Sequence, residues 1–536
     1  MEEFNDYDNP YDFLKAIESK IKGKDDLSRF KEKTFTSGKT IQYTSNDDNI
    51  QLGKHNIKDF RETKKLIDED WLLENCPHRL NFSMTYKQFY SIYIKHFTEK
   101  KLTTNPAITG LYKKIMTCDE FKFLDMFIDG ESGRRLKFDS VDCMVPKDAC
   151  TLDHNGQFKL LASELLFLTI ASKFTKNTIR GIQQTEESNN GSSHESHDLI
   201  PVVYAGSAAG YHIPVLAQMF PNVLWILYDP NPFFPDMMEL STFHSPIGDD
   251  FSEENKKSRI EFLTKTFMTD GKLDHAKVIK IAKKHSNYII VNDYFEDSDA
   301  EFMNGLFGSA IDWLFISDIR ASIDENRIDG NINIERNEKQ QTGWVKKAKP
   351  FMYELKMRGI WGVNKVIEYP WGIDFNQAVM KPHTSAETRT IGARNSKGEI
   401  EIMKVEQSKR EEILFHDNIV MRSIIFNLEN PHTICHCRDC IESLYIIKLY
   451  LNELTTWKPD KIDEMAYKVY RSIMESLKRS NYSAPIKIAE EIGIGDHPVI
   501  QKLKSMFDNL STVDRTIDTV VHDTIISGVI EYSVTK

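Results

Sequence analysis

The 536-residue chain is acidic overall, with a formal net charge of −11, and 40% of its residues are hydrophobic. This length exceeds what one hydrophobic core usually organises, so we expect more than one structural region. The negative charge disfavours a protein that coats nucleic acid, because phosphate binding requires lysine and arginine. Basic residues are nonetheless concentrated at 344–358 and 478–487, where a solvated charged face and a binding surface are equally good interpretations.

The sequence contains no uncharged apolar run long enough to cross a membrane, and its start lacks the basic and apolar parts of a secretory signal. The seven cysteines have no regular spacing, which argues against a disulfide framework and for a reducing compartment. These features predict an intracellular protein without a membrane segment.

The N-terminal part is predicted to differ from the rest of the chain. Residues 1 to about 60 are polar and lack apolar periodicity, which predicts a mobile or loosely packed arm. At 70–97 aromatic residues recur at helical spacing beside basic ones, and a core-facing stripe explains this better than a base-stacking surface. We therefore divide the chain into an N-terminal extension at 1–150, a main domain at 151–478 and a C-terminal tail at 479–536.

The main domain is predicted to open with a helix over 153–174, with Asp153 or Asn155 as its N-cap. Lys159 lies in the first turn of this helix, where the helix dipole favours anions and a lysine gains nothing, so its position suggests a functional role. The polar segment at 175–198 that follows is predicted to be a surface loop.

The sequence VVYAGSAAG at 202–210 indicates a buried strand that ends in a turn of small residues, followed by a helix. Such a turn lets the backbone approach a ligand at the helix N-terminus. The next apolar strand ends at Asp229, where an acidic residue can bind a ribose. This pattern predicts a nucleotide-cofactor site, although the turn is not the G-x-G-x-x-G of dinucleotide enzymes.

Strands and helices continue to alternate after Asp229, which predicts a parallel sheet with helices on both faces. Strands are predicted at 287–295 and 312–320, and ligands collect at the carboxyl ends of such strands. Asp229, Tyr294, Phe295 and Asp318 are therefore expected to line one crevice together with the turn at 206–210.

Residues 321–343 are predicted to be another loop, and PFMYELKMRG at 350–359 to be a strand on which Lys356 and Arg358 share one face. Further strands are expected at 388–393 and 399–405. Helices are expected at 408–426, 441–454 and 461–477.

The segments GQFKLL, VVYAGSAAG, LYD, ISDIR, ELKMR and SAETR occur in this order along the chain. In this order they resemble the poxvirus cap-specific mRNA (nucleoside-2′-O-)-methyltransferase family, whose members also serve as the small, processivity subunit of poly(A) polymerase. The resemblance covers about residues 152–477 and points to a homologue from another large DNA virus. It implies an α/β fold, namely a Rossmann-like methyltransferase fold with a mostly parallel central sheet flanked by helices, and S-adenosylmethionine as the cofactor.

The resemblance also implies a set of cofactor-binding residues, in which Asp229 binds the ribose hydroxyls and an aromatic pair flanks adenine. Carried over by position, the set is Gln157, Tyr204, Gly206, Ser207, Ala209, Gly210, Asp229, Tyr294 and Phe295. The family turn resembles GSAPG, so Ala209 replaces a proline and loses rigidity without removing a ligand atom. Asn231 stands where the family has an arginine, which puts one cofactor contact in question.

The catalytic set that the resemblance implies is Lys159, Asp318, Lys356 and Glu387. A ribose 2′-hydroxyl is a poor nucleophile and the sulfonium methyl is already activated, so the enzyme must align an in-line attack and manage one proton. A lysine can act as the base only if its pKa falls, which burial and a neighbouring cation favour. Lys356 is expected to orient and deprotonate the hydroxyl, with Lys159 as the neighbouring cation and the two carboxylates fixing both ammonium groups.

Substrate contacts follow the same resemblance. Arg320 and Arg358 match family arginines near the RNA path, and Trp361 matches one of two aromatic residues that stack the methylated guanine of the cap. The second aromatic position is Thr384, and Glu411 is a candidate for recognition of the base. The cap pocket is therefore either lost or rearranged, with Trp371 or Tyr369 as substitutes.

The cysteines in CHCRDC, at 435, 437 and 440, have the soft ligands that zinc prefers, but no second pair lies nearby. Reduced, packed cysteines are the preferred interpretation, and no metal is expected in the reaction.

Three functions remain open from the sequence. The leading one is an enzyme that methylates the first transcribed nucleotide of capped mRNA in the host cytoplasm, and packaging in the virion stays open. The second is an RNA-binding regulatory subunit that stimulates a poly(A) polymerase catalytic subunit, with or without methylation. The third is a nicotinamide-dependent dehydrogenase, which the nucleotide-site pattern alone would allow.

Overall fold

The computed structural model describes the greater part of the segment from 153 to 477 and shorter pieces before it. The described residues are 6–22, 51–52, 55–56, 115–117, 121–130, 153–180, 198–233, 237, 242–244, 252–285, 287–320, 327–360, 364–375, 387–415, 417, 425–427, 438–454, 458–463, 465–470, 472–474 and 476–477.

Helices form in most of the segments that the sequence predicts to be helical. Within the described residues they are α1 (Pro10–Ile21), α2 (Asp153–Ser172), α3 (Ile213–Met219), α4 (Glu253–Phe267), α5 (His275–Lys284), α6 (Asp297–Phe307), α7 (Arg327–Ala348), α8 (Gln407–Phe415) and α9 (Arg438–Leu454). A short 3₁₀ helix covers Phe123–Met126, and further helical residues lie at 459–463, 465–470, 472–474 and 476–477.

One large sheet contains eight strands. They are β1 (Ile200–Ala205), β2 (Val223–Tyr228), β3 (Thr242–His244), β4 (Tyr288–Asn292), β5 (Leu314–Ser317), β6 (Met352–Arg358), β7 (Ile373–Phe375) and β8 (Glu387–Ala393). Among the described residues, four two-stranded pairs lie outside it: Gln51–Leu52 with His55–Asn56, Ile115–Thr117 with Ile425–Asn427, Met268–Thr269 with Lys272–Leu273, and Val366–Pro370 with Ile402–Glu406.

The strand order in the sheet is β7, β8, β6, β5, β1, β2, β4, β3. The neighbours from β6 to β3 are all parallel, and β8 is antiparallel to both β6 and β7. The chain leaves β1 toward β2 on one side and returns to β5 on its other side. The switch in direction therefore lies between β1 and β5, which is where open α/β sheets bind ligands.

The sheet separates two hydrophobic clusters, because successive side chains along a strand point to opposite faces. Along β1, Val202 and Tyr204 belong to the cluster that contains α1, α2, α3 and α9, whereas Val203 and Ala205 belong to the one that contains α4 to α7. The predicted α/β architecture, a mostly parallel sheet flanked by helices, is thus confirmed.

Helix α2 is buried on more than one side, because Leu166 and Ile170 are enclosed as well as Phe158, Leu161, Leu165 and Leu168. A helix that is apolar around most of its circumference packs between other elements. Here α2 is covered by α9 on one side and contacts β6 on another. The side chains of its predicted caps, Asp153 and Asn155, lie outside the described residues.

The expected loosely packed arm is wrong for residues 10–21, which form α1. Asn9 caps this helix by accepting hydrogen bonds from the next two amides, and Pro10 occupies its first position, where a missing N–H costs nothing. Phe13, Leu14 and Ile17 are fully buried in the cluster that α2 also joins. A short apolar stripe within a polar stretch was enough to dock this helix.

The predicted loop at 321–343 is also wrong from residue 327 onward, because α7 occupies Arg327–Ala348. Its buried face carries polar residues that find partners, so apolar periodicity is weak there. Glu338 accepts hydrogen bonds from the Tyr369 hydroxyl at 2.6 Å and the Arg358 amide at 2.9 Å, and Gln341 donates to the Lys356 carbonyl at 3.0 Å. A pattern search for apolar positions could not recognise this face.

The helix predicted over 408–426 ends earlier, since α8 stops at Phe415 and Ile425–Asn427 is a strand. The predicted strand near 399–405 forms as Ile402–Glu406, but it pairs with Val366–Pro370 outside the large sheet. The aromatic stripe at 70–97 and the tail at 479–536 lie outside the described residues. The proposed three-part division of the chain stays a prediction.

The burial of α1 predicts that residues 10–21 contribute to stability. Replacing Phe13 with alanine should lower the free energy of unfolding by about 3–5 kcal/mol, because it leaves a cavity in the shared cluster. Ser19→Ala, at an exposed position of the same helix, is the matched control and should change it by less than about 0.5 kcal/mol. Equal denaturant unfolding midpoints for the two variants would mean that α1 does not pack on the core.

Candidate active site

The turn after β1 is held in a conformation that requires glycine at two positions. Gly206 and Gly210 have φ values of +82° and +75°, in the left-handed region. A Cβ atom on Gly206 would lie 2.8 Å from the Ile319 nitrogen and 2.9 Å from the Asp318 carbonyl carbon. The backbone of this turn therefore packs directly against the residues that follow β5, at the switch point of the sheet.

Asp229, at the end of β2, is tied to the same turn. One carboxylate oxygen accepts a hydrogen bond from the Ala208 amide at 3.0 Å, and the other accepts from the Asn231 backbone amide and side chain at 2.8 and 2.9 Å. Burial raises the pKa of this carboxyl group above its usual value. A carboxylate has about four acceptor sites, so these three bonds leave capacity for a further donor such as a ribose hydroxyl.

The aromatic pair after β4 is split between surface and core. Tyr294 is half-buried. The Phe295 ring packs against Tyr228 and Trp344, with ring centroids 5.0 Å apart in each pair, and Phe295 is 4% exposed. With the Phe295 ring enclosed, Tyr294 is the member of the pair whose side chain a ligand can contact.

The other predicted cofactor residues lie around the turn, and two of them join a buried polar network that the sequence did not reveal. The Tyr204 hydroxyl donates to a Glu164 carboxylate oxygen at 2.6 Å, and the Gln157 side-chain oxygen lies 2.7 Å from a ring nitrogen of His212. Ser207, which is buried, donates its hydroxyl to the Tyr228 carbonyl at 3.2 Å. The role of each in cofactor binding stays a prediction.

The four residues of the predicted catalytic set converge. Lys159 forms an ion pair with Glu387 at 2.7 Å, and Lys356 forms one with Asp318 at 2.9 Å. All four side chains are at most 18% exposed. Each carboxylate is also shared with an arginine, since Arg320 binds Glu387 and Arg389 binds Asp318.

Strand register explains this convergence. Leu355 of β6 lies opposite Ser317 of β5, so Asp318, the next residue after β5, reaches the position beside Lys356. On the other side of β6, Lys356 is paired with Arg389 and Arg358 with Glu387 of the antiparallel strand β8. Lys159 is contributed from above the sheet by α2.

The ion pairs and the burial act in opposite directions on the ionisable groups. Burial lowers the pKa of Lys356 to about 8, although Asp318 and Glu387 oppose this shift. Burial alone would raise the pKa values of both carboxyl groups, but the positive charges around them outweigh it: Arg389 and Lys356 lower that of Asp318, and Lys159 and Lys356 lower that of Glu387. At neutral pH two ionised carboxylates therefore lie beside a lysine that can lose its proton easily.

Arg389 and Glu354 belong to this cluster, and the sequence analysis did not assign them. The Arg389 side chain also lies 3.6 Å from Glu354, whose pKa burial raises to about 8. The two-residue period of a strand could have identified both. Glu354 lies two positions before Lys356, and Arg389 lies two positions after Glu387, so each pair shares one strand face.

The structure describes some of the predicted substrate residues and not others. Arg320 is held by Glu387 with its side chain 30% exposed, and Arg358 is half-buried at the end of β6, where burial lowers its pKa. Glu411 is buried in α8. Trp361 and Thr384 lie outside the described residues, so the cap-stacking prediction stays untested.

The substitutes considered for cap stacking, Trp371 and Tyr369, are ruled out by their burial. Trp371 is 3% exposed and is covered by α1, where the Lys15 ammonium lies 3.7 Å from its ring centroid and the Tyr11 ring 5.0 Å from it. Tyr369 is fully buried and donates its hydroxyl to Glu338. Both rings serve packing, so neither offers a face to a base.

In the part of the chain that the structure describes, no helix combines the length and apolarity needed to span a membrane. The same described residues contain no grouping of three or more histidine, cysteine or acidic side chains suited to a metal. Cys440 is buried in α9, whereas Cys435 and Cys437 lie outside the described residues, so the question of zinc at CHCRDC stays open.

The fold and site together define an α/β protein whose charged site lies at the carboxyl edge of a mostly parallel sheet. Residues 139–261 and 254–479 match the family model described as poly A polymerase regulatory subunit. The match spans more than half of the sequence, and the chain belongs to the poly(A) polymerase regulatory subunit family. This family implies a poly(A) polymerase catalytic subunit as a partner. A comparison with curated proteins finds no match.

The close approach at Gly206 predicts a specific sensitivity to a single methyl group. Gly206→Ala should lower the free energy of unfolding by about 1–3 kcal/mol, because the new Cβ meets backbone atoms and φ is positive. Gly305→Ala, in α6, is the control: nothing lies within 4 Å of its Cβ position, and the substitution should be neutral or stabilising. Equal thermal midpoints for the two variants would contradict the described packing of the turn.

Proposed function

We propose that this protein is a cap-specific mRNA methyltransferase that transfers a methyl group from S-adenosylmethionine to the ribose 2′-hydroxyl of the first transcribed nucleotide. The observation that carries the proposal is the convergence of Lys159, Asp318, Lys356 and Glu387, which are dispersed over 228 residues of sequence, in one buried cluster beside the glycine turn. The order of the matching sequence segments and the family membership support it.

Lys356 would perform the proton transfer. Its pKa of about 8 means that the ammonium group loses a proton near physiological pH, which matches the requirement for a general base. Its Nζ atom, held 2.9 Å from Asp318, would accept the proton of the 2′-hydroxyl as the oxygen bonds to the methyl carbon and the carbon–sulfur bond breaks, its electron pair staying on sulfur. Lys159 would pair with Glu387 and Arg389 with Asp318. The two carboxylates would then hold the proton of Lys356 less strongly.

The residues around the glycine turn fit the proposed cofactor. S-adenosylmethionine supplies, when bound, an activated methyl group on a sulfonium centre. Gly206 leaves no side chain between the turn and the end of β5, and Asp229 retains an acceptor site for a ribose hydroxyl. Asp318 follows β5 directly beside this turn, so its negative charge is available to the positive end of the cofactor.

The cluster also has the charge expected for an RNA ligand. Lys159, Arg320, Lys356, Arg358 and Arg389 contribute five cationic side chains, against the ionised carboxylates of Asp318 and Glu387. This local excess of positive charge within an acidic protein favours a phosphate backbone. Capped mRNA is therefore the proposed substrate, and the host cytoplasm the proposed location.

The alternative function is regulation of a poly(A) polymerase without methylation. The family membership favours it directly, because the family is described by that role. An excess of cationic side chains would serve RNA binding in either function. The two differ in whether Lys356 must lose a proton.

Methyl transfer to capped RNA, measured with labelled S-adenosylmethionine, tests the proposed chemistry. Lys356→Ala should lower the rate at least about 100-fold, because it removes the base. Lys356→Arg should be equally inactive, since a guanidinium stays charged. Lys339→Ala, on an exposed part of α7, is the matched control and should keep the wild-type rate. Equal rates for wild type and Lys356→Ala would end the catalytic assignment.

The wild-type rate should also depend on pH in a defined direction. Burial holds the pKa of Lys356 at about 8, so the neutral, proton-accepting form increases as pH rises through that value. The rate should therefore rise between about pH 7 and pH 9 and then level off. A rate that falls over this range would show that a charged Lys356 is required instead.

Extension of a poly(A) primer by the partner polymerase separates the two functions. Because the other four cations remain, Lys356→Ala should keep at least about half of any stimulation while methyl transfer is lost. Stimulation by a wild-type protein that transfers no methyl group to any capped RNA would favour the regulatory function alone.

A further inference from the structure

A buried polar network lies beside the glycine turn, and the mechanism proposed above does not use it. Its members are Gln157 and Glu164 on α2, Tyr204 on β1 and His212 directly before α3. His212 and Glu164 are each 1% exposed, and Tyr204 is fully buried. Buried polar side chains are costly unless they have hydrogen-bond partners, so a buried group of this kind calls for an explanation.

The histidine ring has an acceptor atom opposite each of its two nitrogens. Nε2 lies 3.0 and 3.2 Å from the two carboxylate oxygens of Glu164, and Nδ1 lies 2.7 Å from the side-chain oxygen of Gln157. Tyr204 donates its hydroxyl to the same carboxylate at 2.6 Å. Each ring nitrogen therefore faces an acceptor atom, and the arrangement is satisfied when both nitrogens donate.

We propose that His212, held by Glu164, is a positioning residue that fixes the side-chain amide of Gln157. The ring takes the amide oxygen as its acceptor, which leaves the NH₂ group as the end that a ligand can contact. An NH₂ group donates hydrogen bonds and therefore suits a carboxylate, such as that of the amino-acid part of S-adenosylmethionine. The inference rests on the proposed function and adds to it the means by which the cofactor's carboxylate is recognised.

The network also connects cofactor binding to the catalytic cluster. Gln157 and Lys159 lie two residues apart on α2, and Glu164 fixes this helix to β1 through Tyr204. Glu164 further interacts electrostatically with Glu354 of β6, and Tyr204 with Asp318 and Arg389. These are the charged groups that face the network from the sheet.

A neutral His212 ring would reverse which end of the Gln157 amide faces the ligand. With Nδ1 unprotonated, it could only accept a hydrogen bond, so the Gln157 amide would turn over and present its oxygen to the ligand. An oxygen repels a carboxylate. The charge of Glu164 is thus what selects the orientation of an amide that it does not touch.

Calorimetric titration of the full chain with S-adenosylmethionine tests the inference. Glu164→Gln keeps the size of the side chain but removes its charge, and it should weaken binding about tenfold or more. Gln157→Glu keeps an acceptor for His212 but removes the NH₂ donor, so it should weaken binding equally without lowering the thermal midpoint. Thr169→Val, which replaces a buried polar residue further along α2, is the control. It should bind S-adenosylmethionine within about twofold of wild type.

Nuclear magnetic resonance of ¹⁵N-labelled histidine supplies a readout that does not depend on the cofactor. The wild-type spectrum also does not depend on whether the variants fold. In the wild-type protein both ring nitrogens of His212 should carry a proton, and Glu164→Gln should remove the one on Nδ1. An unprotonated Nδ1 in the wild type would overturn the proposal, as would wild-type affinity in both Glu164→Gln and Gln157→Glu. If the wild-type protein does not bind S-adenosylmethionine at all, the proposed function fails together with this inference.

Discussion

The sharing of two buried carboxylates among lysines and arginines is the interaction on which the site depends. Asp318 and Glu387 each contact one lysine and one arginine, so neither carboxylate depends on a single partner. Buried charges are tolerated only when they are paired, and removal of one partner commonly costs several kcal/mol. The cluster also joins α2, β5, β6 and β8. These elements form the centre of the fold, and the cluster can form only if they lie next to one another.

This arrangement resolves a conflict in the chemistry expected of Lys356. A lysine next to a carboxylate normally holds its proton more tightly, whereas a general base must release it. Burial outweighs the two carboxylates and brings the pKa to about 8. Arg389 matters here because it shares the Asp318 carboxylate with Lys356. The pKa of Lys356 is therefore set by burial and by the charges of β8 and of the segment after β5 together, rather than by its nearest neighbour.

The two proposed functions draw on one surface. A cluster with more cationic side chains than ionised carboxylates favours RNA whether the RNA is methylated or handed to a polymerase. Family membership supports the regulatory role, and the convergence of the lysines and carboxylates supports the proposed methyl transfer. Trp371 is buried against α1 and Tyr369 against α7, so neither ring is a candidate for stacking on a cap.

The sequence by itself determined the parallel strands, the glycine turn and the types of residue in the site, because strand burial and turn conformation are set locally by apolar runs and glycines. It failed at α1 and α7, where a few apolar residues or a polar buried face gave no clear periodicity. Only the tertiary structure decided that Arg389 shares Asp318, that Phe295 lies in the core and that Glu164 binds His212. Those facts depend on strand register and on contacts between elements distant in sequence, and a local pattern carries no information about either.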